Sequence, residues 1–293
     1  VLDAAQPLRL LIPALLAAGA ALWVDRTTAA RGFFPPGFDE LWRRIAALAV
    51  LASIFFLGIF LPIGMIGAEQ PPMPEHVSTP RLFLLQGLLV LSLVAWFVLG
   101  YAGRTHQPLP GLFARQFGWR AEQPWTEIGL GIAAGIAGWL VVIALMVVVA
   151  MVIYLLGGES LVPKKPPELV PIIAGLPFLI RLSIGLSAGV VEESFFRGFL
   201  QPRVGIALST GMFVLAHLSY EQPFMLLGIC ALSLLFAGLV RWRGSVLASV
   251  AAHATFDLVQ LLVIIPWVLE RLPQFGEAGH AASVVVLAGR LLW

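Results

Sequence analysis

Two adjacent carboxylates, Glu192 and Glu193, fall inside a long apolar stretch of this chain, with an arginine, Arg197, four residues further on. Other apolar stretches hold His217, His253 and Asp257, and Arg181 lies upstream of the glutamates. Carboxylates and imidazoles in such company are the groups that take a proton from water and pass it on. An ionised side chain at the bilayer centre costs roughly 2.5–3.5 kcal/mol on insertion scales, so residues of this kind are kept for tight pairing or for chemistry.

Spacing divides the set. Glu193 and Arg197 stand at i, i+4 and form a local ion pair on a helix, which neutralises that carboxylate. Glu192, rotated about 100° from its neighbour, is then free to face a cavity. His253 and Asp257 share the same i, i+4 spacing, so the carboxylate is placed to orient the imidazole or to join it in binding a polar group. Phe213 and His217 also share a face, which makes the ring a wall of the same site. The other histidines, His76, His106 and His280, fall in loops.

Structural alternatives stand beside these readings. The Glu193–Arg197 pair reads best as scaffold, and a lone intramembrane histidine is commonly an interhelical hydrogen-bonding group. Arg181 reads as snorkelling or structural, and Asp257 has Arg197 as an alternative partner. Two histidines at matching depth facing a carboxylate favour function for Glu192, His217 and His253. The same three residues are also an adequate zinc set, although the H-E-x-x-H arrangement is missing. Cys230 is the single cysteine and can build neither an intrachain disulfide nor a thiolate metal site.

The elements that position these groups follow from composition. The 293 residues are 59% hydrophobic and 12% charged, and the mean hydropathy is +0.94, which excludes an ordinary soluble domain. Lys plus Arg number 18 against 16 Asp plus Glu, with no basic stripe interleaved with aromatics, so no nucleic-acid partner is expected. Segments of about 20 apolar residues cross a bilayer. Such segments, or near approaches to them, occupy residues 8–24, 45–66, 82–101, 128–156, 169–199, 204–218, 224–240 and 246–269. The expected fold is therefore all-α: a polytopic membrane bundle of about eight transmembrane helices with an intramembrane polar cavity, one integral membrane domain over residues 1–293. The first apolar run reads as a helix and not as a signal peptide, and residues 281–293 read as an interfacial piece.

Loops rich in proline and glycine, such as residues 33–38, 70–74 and 163–167, separate the spans. Residues 38–44 and 113–125 read as interfacial leads into the helices that follow them. Counting from these turns at about 1.5 Å per residue puts Glu192, His217 and His253 each about 13–18 Å from one face of the membrane. That face carries Arg26, Arg31, Arg43, Arg44, Arg104, Arg115, Arg120, Arg203, Arg241 and Arg243. Only Arg9, Arg81, Lys164, Lys165, Arg271 and Arg290 lie on the other side, so the first face is expected in the cytoplasm.

Taken together, EESFFR at 192–197, FVLAH at 213–217 and HATFD at 253–257 resemble, in order, motifs of the CPBP family. Those motifs are E-E-x-x-x-R, F-x-x-x-H and H-x-x-x-N/D. The family comprises the CAAX proteases and bacteriocin-processing proteins, also called Abi, and includes the type II CAAX prenyl endopeptidases. FRGFLQ after the glutamates and GSVLASVAAH before the last motif agree as well, and the resemblance covers residues 169–269. It implies peptide-bond hydrolysis within or beside the membrane, in a cavity open toward the cytoplasmic leaflet. It implies Glu192 as the general base, His217 as the group that holds the water, and Glu193 and Arg197 as support. His253 and Asp257 would stabilise the oxyanion or orient the scissile carbonyl. Asp257 stands where many members have asparagine, and a carboxylate donates a hydrogen bond only when protonated. The family has been described both as metalloproteases and as glutamate-dependent enzymes, so zinc stays open, with the metal-free mechanism favoured.

The expected partner is a membrane-associated peptide or protein, prenylated or not, in the bilayer of a bacterial inner membrane. The alternatives are a non-proteolytic scaffold, immunity or assembly subunit of a membrane complex, and a proton-coupled transporter. Against the transporter stands the lack of any internal repeat.

Overall fold

Proline and glycine set where the helices of this chain start, break and stop. A computed structural model describes residues 6–32, 36–65, 79–157, 169–218 and 224–275. Among them every regular element is helical, and no strand occurs. Helix α1 spans Gln6–Ala30, and a short 3-10 turn at Pro36–Asp39 leads into α2, Leu41–Phe55. A π turn, Phe56–Phe60, carries α2 into α3, Leu61–Met65. Then come α4, Thr79–Tyr101, the short α5, Leu109–Gln116, and the long α6, Pro124–Leu155. After α7, Leu169–Ala174, helix α8, Phe178–Glu193, runs through a π turn at Ser194–Leu200 into α9, Gln201–Val204. Helices α10, Ile206–Ala216, and α11, Met225–Arg243, follow. Finally α12, Leu247–Val259, passes through a π turn at Gln260–Ile264 into α13, Ile265–Phe275.

Among the described residues, five stretches are long and apolar enough to cross a bilayer: Arg9–Ala30, Leu41–Gly64, Pro124–Leu155, Met225–Arg243 and Leu247–Glu270. Gln86–Tyr101 and Ile206–Ala216 are shorter apolar helices. The path from α8 to α9 is interrupted by the charges of Arg181, Glu192, Glu193, Arg197 and Arg203, which is what sets it apart from those spans, whose apolar stretches carry fewer charges. Large apolar side chains face outward along the bundle, among them Leu91, Leu140, Val148 and Leu155. An outer surface of this kind is stable against lipid tails and not against water, so the molecule is a helical membrane bundle.

The structure redraws three of the expected spans. Residues 169–199 do not form one helix, because Pro177 adopts an extended conformation at φ −53°, ψ 146° and separates α7 from α8. Residues 204–218 shrink to the 11-residue α10, which starts after Gly205 at φ 86°. At about 1.5 Å per residue α10 reaches only halfway across a bilayer, and His217 becomes its C-cap instead of an interior residue. Helix α1 runs on past residue 24 because Thr28 satisfies its hydroxyl on the Val24 carbonyl at 2.6 Å and Asp25 pairs with Arg44 at 2.7 Å. Residues 281–293, the loops at 70–74 and 163–167, and Lys164 and Lys165 lie outside the described residues.

Glycines fix the distance at which helices meet. A Cβ on Gly135 of α6 would stand 2.5 Å from the Ala252 carbonyl oxygen and 2.8 Å from Thr255 Cβ. A Cβ on Gly189 of α8 would stand 2.9 Å from both Ala254 N and the Val250 oxygen. Helix α12, which carries His253 and Asp257, is thus held between two glycine faces at backbone contact, the close approach that small residues allow between membrane helices. An aromatic core built from Trp96, Phe117, Phe195 and Phe199 packs α4, α5 and the motif helix, the continuous path from α8 through the π turn to α9, together.

Candidate active site

Two helix ends and one helix middle bring the polar groups together. Glu192 and Glu193 close α8 where it passes into its π turn. His217 caps α10, and His253 sits in the middle of α12. A π turn inserted beside a polar cluster widens the helix by part of a turn and is frequent at functional sites.

The two glutamates have different surroundings. Glu193 is fully buried between Arg197 Nε at 3.3 Å and His253 Nδ1 at 3.0 Å. Arg197, also buried, lies over the Phe213 ring at 4.3 Å and donates from Nη2 to Ser233 Oγ at 3.2 Å. A guanidinium set on an aromatic face and paired with a carboxylate is the arrangement in which a buried cation is tolerated. Glu192 keeps 21% of its side chain exposed, and its nearest ionisable partner is His217 Nε2 at 3.9 Å. Glu192 Oε2 is buried and makes no hydrogen bond to the protein.

His217 is oriented by its own helix. Its Nδ1 stands 2.7 Å from the Phe213 carbonyl oxygen, which assigns the proton to Nδ1 and leaves Nε2 as an acceptor in the neutral ring. Nε2 and the Glu192 carboxylate then face each other as two acceptors across 3.9 Å, too long for a direct hydrogen bond and a span that a water molecule bridges. Phe213 packs on the His217 ring at 4.5 Å, between centroids.

His253 is held on three sides. Nδ1 meets Glu193, Nε2 faces Asp257 Oδ2 at 3.5 Å, and the ring stacks on Phe236 at 5.0 Å with an interplanar angle of 16°. Asp257 retains 25% exposure and Glu192 21%, whereas Glu193, Arg197 and His253 are buried. The structure places Asp257 beside His253, one helical turn away.

This arrangement does not fit the zinc set of Glu192, His217 and His253. Both ring nitrogens of His253 are turned to carboxylates, Glu193 and Asp257, so the third ligand does not aim at the gap between Glu192 and His217. Among the described residues no group of three or more His, Cys, Asp or Glu is arranged to hold a metal ion.

Several contributors escape sequence reading. Arg203, counted from the sequence as a loop cation, is buried and binds three elements at once: Thr28 Oγ1 at 3.1 Å, the Phe199 carbonyl at 2.6 Å and Gln116 Oε1 at 3.0 Å. Its signal was present in the i, i+4 spacing to Phe199, over whose ring it lies at 4.1 Å. Trp119 donates from Nε1 to Ser194 Oγ at 2.9 Å, which ties the segment before α6 to the residue after Glu193. Arg181 has a structural contact: it donates to the Leu261 carbonyl at 3.1 Å, within the π turn that follows α12.

Residues 174–259 match the family described as type II CAAX prenyl endopeptidase Rce1-like. No curated protein and no solved structure matches the chain.

Proposed function

We propose that this chain, whose residues 174–259 match the type II CAAX prenyl endopeptidase Rce1-like family, is a CAAX-type intramembrane protease that cleaves a membrane-associated peptide or protein with water activated by Glu192. The observation that carries this reading is the pair of acceptors, Glu192 Oε2 and His217 Nε2, facing each other at 3.9 Å. A water between them donates one hydrogen to each and turns its lone pairs outward, toward an incoming carbonyl carbon. As the oxygen attacks, its proton passes to the Glu192 carboxylate; the same proton then goes to the leaving amine as the C–N bond breaks.

His253 has the second role in this reading. Glu193 fixes its ring through Nδ1, and Asp257 faces Nε2 at 3.5 Å, so the imidazole is held between two carboxylates beside the Glu192–His217 gap. A positively biased imidazole there steadies the charge that develops on the carbonyl oxygen. Asp257 orients that imidazole instead of donating to the oxyanion itself, which is the part an aspartate can play. Arg197 keeps Glu193 in place. The site takes its substrate from the cytoplasmic leaflet of a bacterial inner membrane.

Comparison of membrane peptides from cells carrying the wild-type chain and cells carrying Glu192→Gln tests the reading. The expected result is a set of cleavage products present only with the wild type. Identical peptides from both cells, at equal protein levels, would remove it.

A further inference from the structure

Behind the reacting groups lies a second polar cluster, in the seam between the motif helix, α10 and α11. The motif helix presents Arg197 and Gln201 one turn apart, and α11 answers with Ser233 and Ala237, also one turn apart. Arg197 donates to Ser233 Oγ at 3.2 Å, and Gln201 Nε2 donates to the Ala237 carbonyl at 3.1 Å. Helix α10 closes the third side: Ser209 Oγ donates to the Phe196 carbonyl at 2.7 Å, and the Phe213 ring lies 4.3 Å under the Arg197 guanidinium. Thr210, the residue after Ser209 on α10, is buried as well.

Three of these residues keep an atom that no protein group satisfies. Arg197 Nη1, Gln201 Oε1 and Thr210 Oγ1 are all buried without a hydrogen-bond partner, on residues that are 1%, 8% and 6% exposed. Buried polar atoms are satisfied in more than nine cases in ten, by protein or by ordered water, so three orphans on the elements that line one seam need an explanation. Their chemistry supplies it. Arg197 Nη1 offers a hydrogen, Gln201 Oε1 accepts one, and the Thr210 hydroxyl does either. A cation would meet the guanidinium, and an anion would meet the Gln201 oxygen with the Glu193 carboxylate close behind. Water alone meets both a donor and an acceptor.

We propose that this seam is a hydration site, holding one or more bound waters hydrogen-bonded to Arg197, Gln201 and Thr210. Buried waters of this kind make about three hydrogen bonds and are as much part of the structure as a side chain. Resting on the hydrolytic reading above, the site also keeps water beside the motif helix, about 7–8 Å along its axis from Glu192, where a hydrolase enclosed by lipid consumes it.

The test uses Thr210→Val, which removes the hydroxyl and keeps the shape, with Thr210→Ser as the variant that restores it. If water is bound, Thr210→Val melts roughly 2 °C or more below wild type in detergent and Thr210→Ser recovers most of the difference. An unchanged or higher melting temperature for Thr210→Val is what loss of a dry, unsatisfied hydroxyl gives, and it would overturn the proposal. A high-resolution experimental structure of the wild type supplies the direct readout: ordered density within hydrogen-bond distance of Arg197 Nη1 supports the site, and a dry, closed seam refutes it. Neither readout involves cleavage, so failure of the protease reading and failure of this proposal are told apart.

Discussion

At the scale of single residues, the distinction between Glu192 and Glu193 is one of partners. Glu193 has a cation and an imidazole within 3.3 Å, whereas Glu192 faces His217 across a gap. Removing His217 should therefore act on the reaction more than on the fold. His217→Ala is expected to lower cleavage by about 10²–10⁴-fold, with little change in the melting temperature measured in the same detergent. Arg203 predicts the reverse pattern. Arg203→Met leaves the Phe199 carbonyl and Gln116 Oε1 without their donor, so stability should fall by about 2 kcal/mol or more in chemical unfolding, an effect unrelated to whether the substrate is bound. The pairs at i, i+4, Glu193 with Arg197 and His253 with Asp257, were legible in the sequence because helical periodicity alone puts them side by side. The His253–Glu193 contact was not legible, since it joins residues sixty positions apart on helices whose rotation only packing decides.

Among elements, α12 is the one that sets the depth and rotation of His253 and Asp257. Its position is fixed by backbone contact with Gly135 on one side and Gly189 on the other. Gly189→Leu should push α12 away from α8, at a cost of about 1–3 kcal/mol seen as earlier thermal unfolding. Cleavage should fall even at temperatures where the variant is folded. Gly211, whose added Cβ would meet nothing within 4 Å, is the control: Gly211→Ala should leave both measurements near wild type. The motif-bearing helices could be recognised from their apolar runs, but their ends could not. A hydropathy pattern does not distinguish a half-length helix such as α10 from a spanning one, and it carries residues 169–199 straight across the break that Pro177 imposes. Nor does it foresee the three π turns, which arise where neighbouring helices dictate the register.

On the scale of the whole molecule, composition alone identified a membrane bundle, because no arrangement of a chain with 59% hydrophobic and 12% charged residues hides that much apolar surface from water. The number of complete spans depended on tertiary detail, and five helices meet the length and composition required among the described residues. The end of the bundle where Arg43 bonds the Leu99 and Ala102 carbonyls, Arg31 bonds the Pro202 carbonyl and Arg243 pairs with Glu127 gathers the arginines expected in the cytoplasm. With Cys230 replaced by serine, Arg120→Cys and Trp242→Cys should react with a membrane-impermeant maleimide only when the cytoplasmic face is opened. Labelling of intact cells at either position would invert the topology.

The central claim is that Glu192 activates water for peptide hydrolysis inside the membrane. Its most direct test is the single-turnover cleavage rate of a membrane-inserted fluorogenic peptide in proteoliposomes, taken from a panel of lipidated and transmembrane sequences that the wild type cleaves. Wild type and Glu192→Gln are compared at equal reconstitution and matched melting temperature. Glu192→Gln is predicted to fall at least about 100-fold, the lower bound for loss of a general base. A Glu192→Gln rate within twofold of wild type would contradict the account.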